Sequence, residues 1–353
     1  MIKQDNPRQV GFVCAYTPLV LISAAGFDHY RILPMGDWPD QAGHLLHDNL
    51  CPHVKRILDR ALAVDLPKLA GMVFINSCDA MRRAADAWRT LRPEESVFII
   101  DLPVTSDAAS VAFLAGELRL LAYQLQRWGG DTIRPPGIEK STDTYNKVAD
   151  LFAKLRDQTR QRGLTGGRPR LQELYNLAAT QGFETTLNAL EAEITESALK
   201  SSDKNGVPIY LFGNVLAEPE AYSLLASCGA HIVGDDFCTG SRMFTPIDMD
   251  KSKDIYLELA GCLLSQPPCA RTFNCERPGG MATDILANAK ACDARGVIGH
   301  TLKFCDPYLA RLPHVRNVFR NEKLPLLLLE GDCSLRSMGQ QRTRIEAFIE
   351  MLR

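Results

Sequence analysis

Apolar residues along this chain fall into short unbroken runs separated by stretches of helical period. Residues 11–16, 30–33, 71–76 and 96–101 are continuous rather than alternating, which predicts strands covered on both faces. Between them, 19–25, 52–62 and 81–91 carry apolar positions three and four apart, with Val54, Ile57, Leu58 and Leu62 on one face of the second segment. Gly26 and Pro103 punctuate the pattern. Strands that alternate with helices predict a parallel, doubly wound sheet.

From about residue 107 to 199 strand runs vanish and helical periods continue, interrupted by a Gly- and Arg-rich loop at 160–169. Strand runs resume at 208–213, 230–234, 296–300 and 325–330, with helices expected at 219–226 and 340–352. The predicted fold is α/β: two Rossmann-like doubly wound parallel-sheet domains joined by a helical segment. The boundaries are an N-terminal domain over 1–105, a connecting segment over 106–204 and a C-terminal domain over 205–353.

Composition narrows the function classes. At 353 residues the chain is too long for one ordinary core. A net charge of −2 gives no reason to expect nucleic acid as a partner. No run reaches the ~20 apolar residues that span a bilayer, and residues 1–7 hold no apolar leader, so the chain is expected in the cytoplasm and off the membrane. There, eleven cysteines are not disulfide staples; they are buried thiols, reactive thiols or metal ligands. Cys14, Cys228, Cys262 and Cys292 lie among apolar or small residues and are assigned no chemistry.

Three cysteines stand where helices should start: Cys51 before Pro52, Cys78 before Asp79, and Cys305 before Asp306-Pro307, read as an N-cap with proline at the first helical position. Helix starts present free N–H groups and the positive end of a dipole, which favour thiolates and anionic clusters. Cys78 and Cys305 also follow strands at the edge where open parallel sheets bind ligands. One comes from each half, so they can meet only across an interdomain cleft.

The residues around these positions carry a family pattern. Leu50-Cys51-Pro52-His53-Val54-Lys55, Ser77-Cys78-Asp79-Ala80-Met81-Arg82-Arg83, Leu302-Lys303-Phe304-Cys305-Asp306-Pro307, Leu329-Glu330-Gly331-Asp332 with Thr343 to Glu350, and the loop Gly234 to Arg242 occur in one order along nearly the whole chain. Together they resemble the 2-hydroxyacyl-CoA dehydratases and class I benzoyl-CoA reductases. The resemblance implies an enzyme with a 4Fe–4S cluster on Cys51, Cys78 and Cys305 whose fourth iron lacks a protein thiolate. It implies a homologous partner subunit, identical or paralogous, and an ATP-hydrolysing iron–sulfur activator. The substrate would be an acyl-CoA reduced by one electron to a ketyl radical. Such a cofactor is needed because expelling a hydroxyl α to a thioester has the wrong polarity for acid–base elimination.

Relatives that carry a double cubane (8Fe–9S) act as homodimeric low-potential reductases of small molecules, and such a cluster needs further thiolates. Cys238, Cys275 and Cys333 are the candidates, with Cys269 as a substitute. A third alternative is a non-catalytic cluster-bearing subunit, because the chain is short beside typical members. Structural zinc is disfavoured, since no Cys-x-x-Cys pair occurs. His231 and His300 read as core histidines. Asp235-Asp236 read as capping residues or a carboxylate pair, and Arg242, Arg271 and Lys303 as surface charge or CoA-phosphate contacts. Asn76-Ser77 could bond to cluster sulfurs, and Gly279-Gly280 match no phosphate-binding loop. Catalytic acid and base residues are not identified.

Overall fold

The computed structural model describes residues 8–36, 40–63, 65–197, 206–250, 252–333 and 339–353. The first domain holds β1 (Gln9–Phe12), α1 (Leu19–Ala24), β2 (Asp28–Arg31), α2 (Pro52–Leu62), β3 (Leu69–Ile75), α3 (Asp79–Leu91) and β4 (Val97–Ile100). Four helices follow: α4 (Ala108–Arg127), α5 (Pro135–Arg160), α6 (Gly167–Thr180) and α7 (Phe183–Ser197). The second domain holds β5 (Val207–Gly213), α8 (Pro219–Ser227), β6 (Ala230–Asp236), α9 (Ile255–Leu264), α10 (Gly280–Ala291), β7 (Gly296–Leu302), α11 (Asp306–Asn321), β8 (Leu326–Gly331) and α12 (Arg342–Met351). The expected α/β class and its two parallel sheets are therefore present. The end of the predicted helical stretch at Leu199 and the boundary at 204/205 lie outside the described residues.

Both sheets are parallel throughout, in the orders β2-β1-β3-β4 and β6-β5-β7-β8. Each is the other's topological copy, with its switch point between the first and third strands. Helices cover both faces, so the central strands are apolar runs: six of the seven residues of β3 and all seven of β7 are buried.

The middle helices form a layer shared by both halves. α5 packs on α1 and α7, α6 on β2 and α8, and α4 on α9 of the second domain. One apolar core runs through α1, α4 to α7 and α9. A second core, under α2 and α3, continues across the domain boundary to Val215 and Leu302. No described helix is long and apolar enough to cross a membrane.

Two differences from the sequence pattern affect the site. β1 ends at Phe12, so Val13 to Tyr16 lie beyond the sheet edge rather than inside the strand. α9 and α10 carried no clear signal. α9 is apolar nearly all round, and α10 opens on Gly279-Gly280 without a capping side chain.

Candidate functional site

The two carboxyl edges face one cavity of about 360 Å³. Cys14 reaches it from the end of β1, Cys51 from the loop after β2, Cys78 from beyond β3, Cys238 from beyond β6 and Cys305 from beyond β7; Cys269 comes from the loop between α9 and α10. All six cysteines are free thiols. Cys51, Cys78 and Cys305 are the N-cap residues of α2, α3 and α11. The expected N-cap at Asp306 is thus displaced by one: Asp306 is the first helical residue and Pro307 the second. Phe304, just before Cys305, has φ +56°, a left-handed conformation uncommon for an aromatic residue, and this turn delivers Cys305 to the cavity.

Burial dominates the thiols. It pushes Cys14 and Cys51 up to about 12 and Cys305 up to about 11, and it raises Cys78. For Cys51 the neighbouring Cys305 adds to this, while the N–H groups of His53 and Val54 oppose it. As free thiols these cysteines are neutral, and a bound metal would have to displace their protons. Asn214, the residue after β5, donates from Nδ2 to the Cys305 sulfur at 2.9 Å and accepts from the Leu302 N–H at 3.1 Å. Its carbonyl receives the Cys238 thiol at 2.6 Å. Gly213 before it could not carry a Cβ, which would meet the His300 carbonyl.

The cavity wall also holds cations without carboxylate partners among the described residues. Arg31 is 1% exposed. It donates to the carbonyls of Cys238 at 2.5 Å and Val13 at 3.3 Å and to the Met243 sulfur at 3.2 Å, and its Nε has no partner among the described residues. Arg271 donates to the carbonyls of Ser77 and Leu102, with Nη1 unpartnered among the described residues. His53 is buried with Nδ1 unpartnered among the described residues; burial, then Arg31, lowers it to about 3, so it is neutral.

The other predicted positions separate clearly. Cys275 is exposed and outside the cavity wall. Cys333 is buried in the core beside Cys51 and does not line the cavity, so of the second candidate set only Cys238 and the substitute Cys269 reach it. Asp235 pairs with Arg168 at 2.8 Å and Asp236 with Arg242 at 2.9 Å, so the two carboxylates are committed to ion pairs. That pairing also occupies Arg242, whose Nη2 bonds Gly213, Asp236 and Tyr308. Lys303 is exposed. His231 meets the Arg160 carbonyl at 2.9 Å. His300 is buried outside the cavity wall, its ring nitrogens unpartnered among the described residues, and burial lowers it to about 4. The Asn76 amide bonds Asp101, while the Ser77 hydroxyl lies beside the Cys78 sulfur. Sequence reasoning missed Cys14, Arg31, His53 and Asn214. The rule that ligand residues follow strand ends would have found Cys14 once β1 was correctly ended, and it already pointed to Asn214, because β5 ends at Gly213 as expected.

No three His, Cys, Asp or Glu residues among the described ones converge on a point fit for a single metal ion. A cluster bonds its thiolates through separate irons, so it calls for sulfurs spread around a cavity rather than gathered at a point. The donor set, soft thiols from both domains beside buried cations, suits such a group.

Known proteins align along the chain's full length. It is 24% identical to the (R)-phenyllactyl-CoA dehydratase beta subunit of Clostridium sporogenes, with 99% of this chain and 93% of that one covered. It is 23% identical to the beta subunit of lactoyl-CoA dehydratase from Anaerotignum propionicum, covering 97% and 91%. A benzoyl-CoA reductase subunit of Thauera aromatica is 21% identical, covering 92% and 86%. The chain is therefore close in length to these subunits, which removes the argument from shortness. The family described as 2-hydroxyglutaryl-CoA dehydratase, D-component, matches residues 14–352, and the chain belongs to that family.

Proposed function

We propose that the chain is the iron–sulfur subunit of an enzyme of the 2-hydroxyacyl-CoA dehydratase or benzoyl-CoA reductase type, with a 4Fe–4S cluster on Cys51, Cys78 and Cys305. The carrying observation is that three helix-start thiols, drawn from both sheets, line one cavity. When bound, the cluster would supply one-electron transfer for the reduction of an acyl-CoA. The chain's own residues supply its setting. Asn214 offers an N–H to the Cys305 sulfur, Arg31 and Arg271 offset negative charge, and Val13, Val54, Met81 and Val215 keep the walls apolar. Relatives named as beta subunits support a homologous partner subunit. An ATP-hydrolysing activator and a reducing, cytoplasmic setting belong to the same reading. Phe113, Leu120 and Tyr123 form an exposed apolar row on α4, a surface that a partner subunit would cover.

The test is anaerobic iron and sulfide analysis of the full chain, with Cys78→Ala and Cys305→Ala each expected to abolish the brown absorbance. Full iron content in either variant would show that the ligands lie elsewhere. A second reading, the double cubane, is favoured by the three further thiols Cys14, Cys238 and Cys269 on the same wall. About eight irons per chain, rather than about four, would select it. Turnover with activator alone would exclude a non-catalytic role.

A further inference from the structure

The loop between α9 and α10 forms a strap across the cavity. Arg271 ties it to the first domain through Nε to the Ser77 carbonyl at 2.9 Å and Nη2 to the Leu102 carbonyl at 2.6 Å. The Phe273 N–H adds a bond to the Val104 carbonyl at 2.8 Å. From the second domain, Arg311 of α11 donates to the carbonyls of Ala270 and Thr272, each at 3.3 Å, and lies over the Phe273 ring at 5.1 Å. Beside these ties stands Cys269. Its carbonyl accepts from the Thr272 N–H and hydroxyl, both at 3.0 Å, which fixes the residue in a turn.

The Cys269 sulfur lines the cavity, makes no hydrogen bond among the described residues, and lies within electrostatic reach of both Cys78 and Cys305. The other spare thiols are placed differently. Cys238 is committed to the Asn214 carbonyl, and Cys14, half-buried like Cys269, lies near Arg31 at the end of β1. Two buried polar groups in the same wall, Arg31 Nε and His53 Nδ1, lack partners among the described residues, as expected of a cavity built to hold an anionic group.

Resting on the cluster reading above, we propose that Cys269 is a fourth thiolate to the cluster, carried to the remaining iron by the Arg271–Arg311 strap. On binding, the thiol releases its proton to solvent and the sulfur gives a lone pair to iron, with no electron transferred. The loaded chain then passes electrons but offers no vacant iron to a substrate oxygen.

The experiment uses the full chain, loaded anaerobically, as wild type and as Cys269→Ala. A three-thiolate cluster exposes one iron to oxidative loss. Mild ferricyanide should therefore produce a three-iron spin-resonance signal in Cys269→Ala and not in wild type, and added cyanide should alter only the variant's spectrum. Because the variant could load poorly, iodoacetamide footprinting of wild type gives an independent reading. Cys269 should label at least about tenfold more slowly in loaded than in stripped protein, while exposed Cys275 labels equally in both. A three-iron signal in wild type as strong as in the variant, or equal labelling of Cys269 with and without iron, overturns the proposal. Full iron in Cys78→Ala would instead overturn the cluster assignment on which it rests.

Discussion

Removing the guanidinium of Arg168 should be among the most damaging single changes outside the cavity. Arg168 belongs to α6 and Asp235 to β6, so their 2.8 Å pair joins the shared helical layer to the second sheet. Both side chains are buried, 6% and 2% exposed. Burial opposes the Arg168 charge, but Asp235 and the rings of Tyr222 and Tyr175 hold the guanidinium above its usual range. Tyr222 lies 4.3 Å from it. In Arg168→Met the Asp235 carboxylate keeps only the N–H groups of Phe237 at 3.2 Å and Ser241 at 3.0 Å. Stranding one member of a buried pair costs ~3–5 kcal/mol, while replacing both members is often close to neutral. Whole domains hold only ~5–15 kcal/mol, so the single variant should lose about a fifth of its stability or more. The double variant Arg168→Met/Asp235→Asn should recover at least ~2 kcal/mol of that loss. Urea unfolding followed by circular dichroism measures both. A loss under ~1 kcal/mol in Arg168→Met, or a double variant as weak as the sum of the singles, would refute the reasoning.

Burial lowers His29 to about 4 and His53 to about 3 from 6.5, so the unfolded chain binds protons that the folded chain refuses. Their contribution is complete above pH ~6.5 and is lost as pH falls towards 3, at ~3 kcal/mol for His29 alone; a flat urea midpoint between pH 7 and 4.5 would contradict this. Asn214→Leu deletes the N–H aimed at the Cys305 sulfur, worth ~1 kcal/mol. In loaded protein the one-electron potential should fall by roughly 40 mV, as redox titration would show. Gly71→Ala drives a methyl into the Trp128 indole and should cost ~1–3 kcal/mol in thermal unfolding; an unchanged melting temperature would mean that α4 yields freely.

The sheets were legible because strands covered on both faces must be unbroken apolar runs, and the runs at 71–76 and 296–300 coincide with β3 and β7. α2 was legible because Pro52 fixes its start and its apolar face keeps period. α9 was not, since a helix apolar nearly all round, broken only by Glu258, carries little periodic signal. The strand ends were the costly error. Extending β1 over Cys14 hid a cavity thiol inside a sheet, and nothing local marks where ladder pairing stops. Arg31 was unreadable for another reason. A charged residue closing a strand reads as surface, and only the long-range fold buries it against Cys238 and Met243.

The two halves repeat one topology but do not contribute equally, and the asymmetry bears on what the cavity accepts. Cys78 and Cys305 stand at equivalent places, each three residues beyond the third strand of its sheet. Beyond the first strands the halves diverge: Cys14 follows β1, whereas Asn214 follows β5. One half thus adds a sulfur two residues beyond its first strand, and the other a hydrogen-bond donor, aimed at a sulfur, one residue beyond its own. The charges follow the same logic. Asp235 and Asp236 are already committed to Arg168 and Arg242, and Asp79 and Asp306 stand exposed at the rim, so no buried carboxylate among the described wall residues balances Arg31 or Arg271. Burial holds Cys14, Cys51, Cys78 and Cys305 as neutral thiols and His53 as a neutral ring, so Arg31 and Arg271 are wall charges with no buried carboxylate beside them among the described residues. A sulfur-bonded group that is anionic as a whole would meet both the thiols and the two guanidinium groups, which is the support this wall lends to the cluster proposed above.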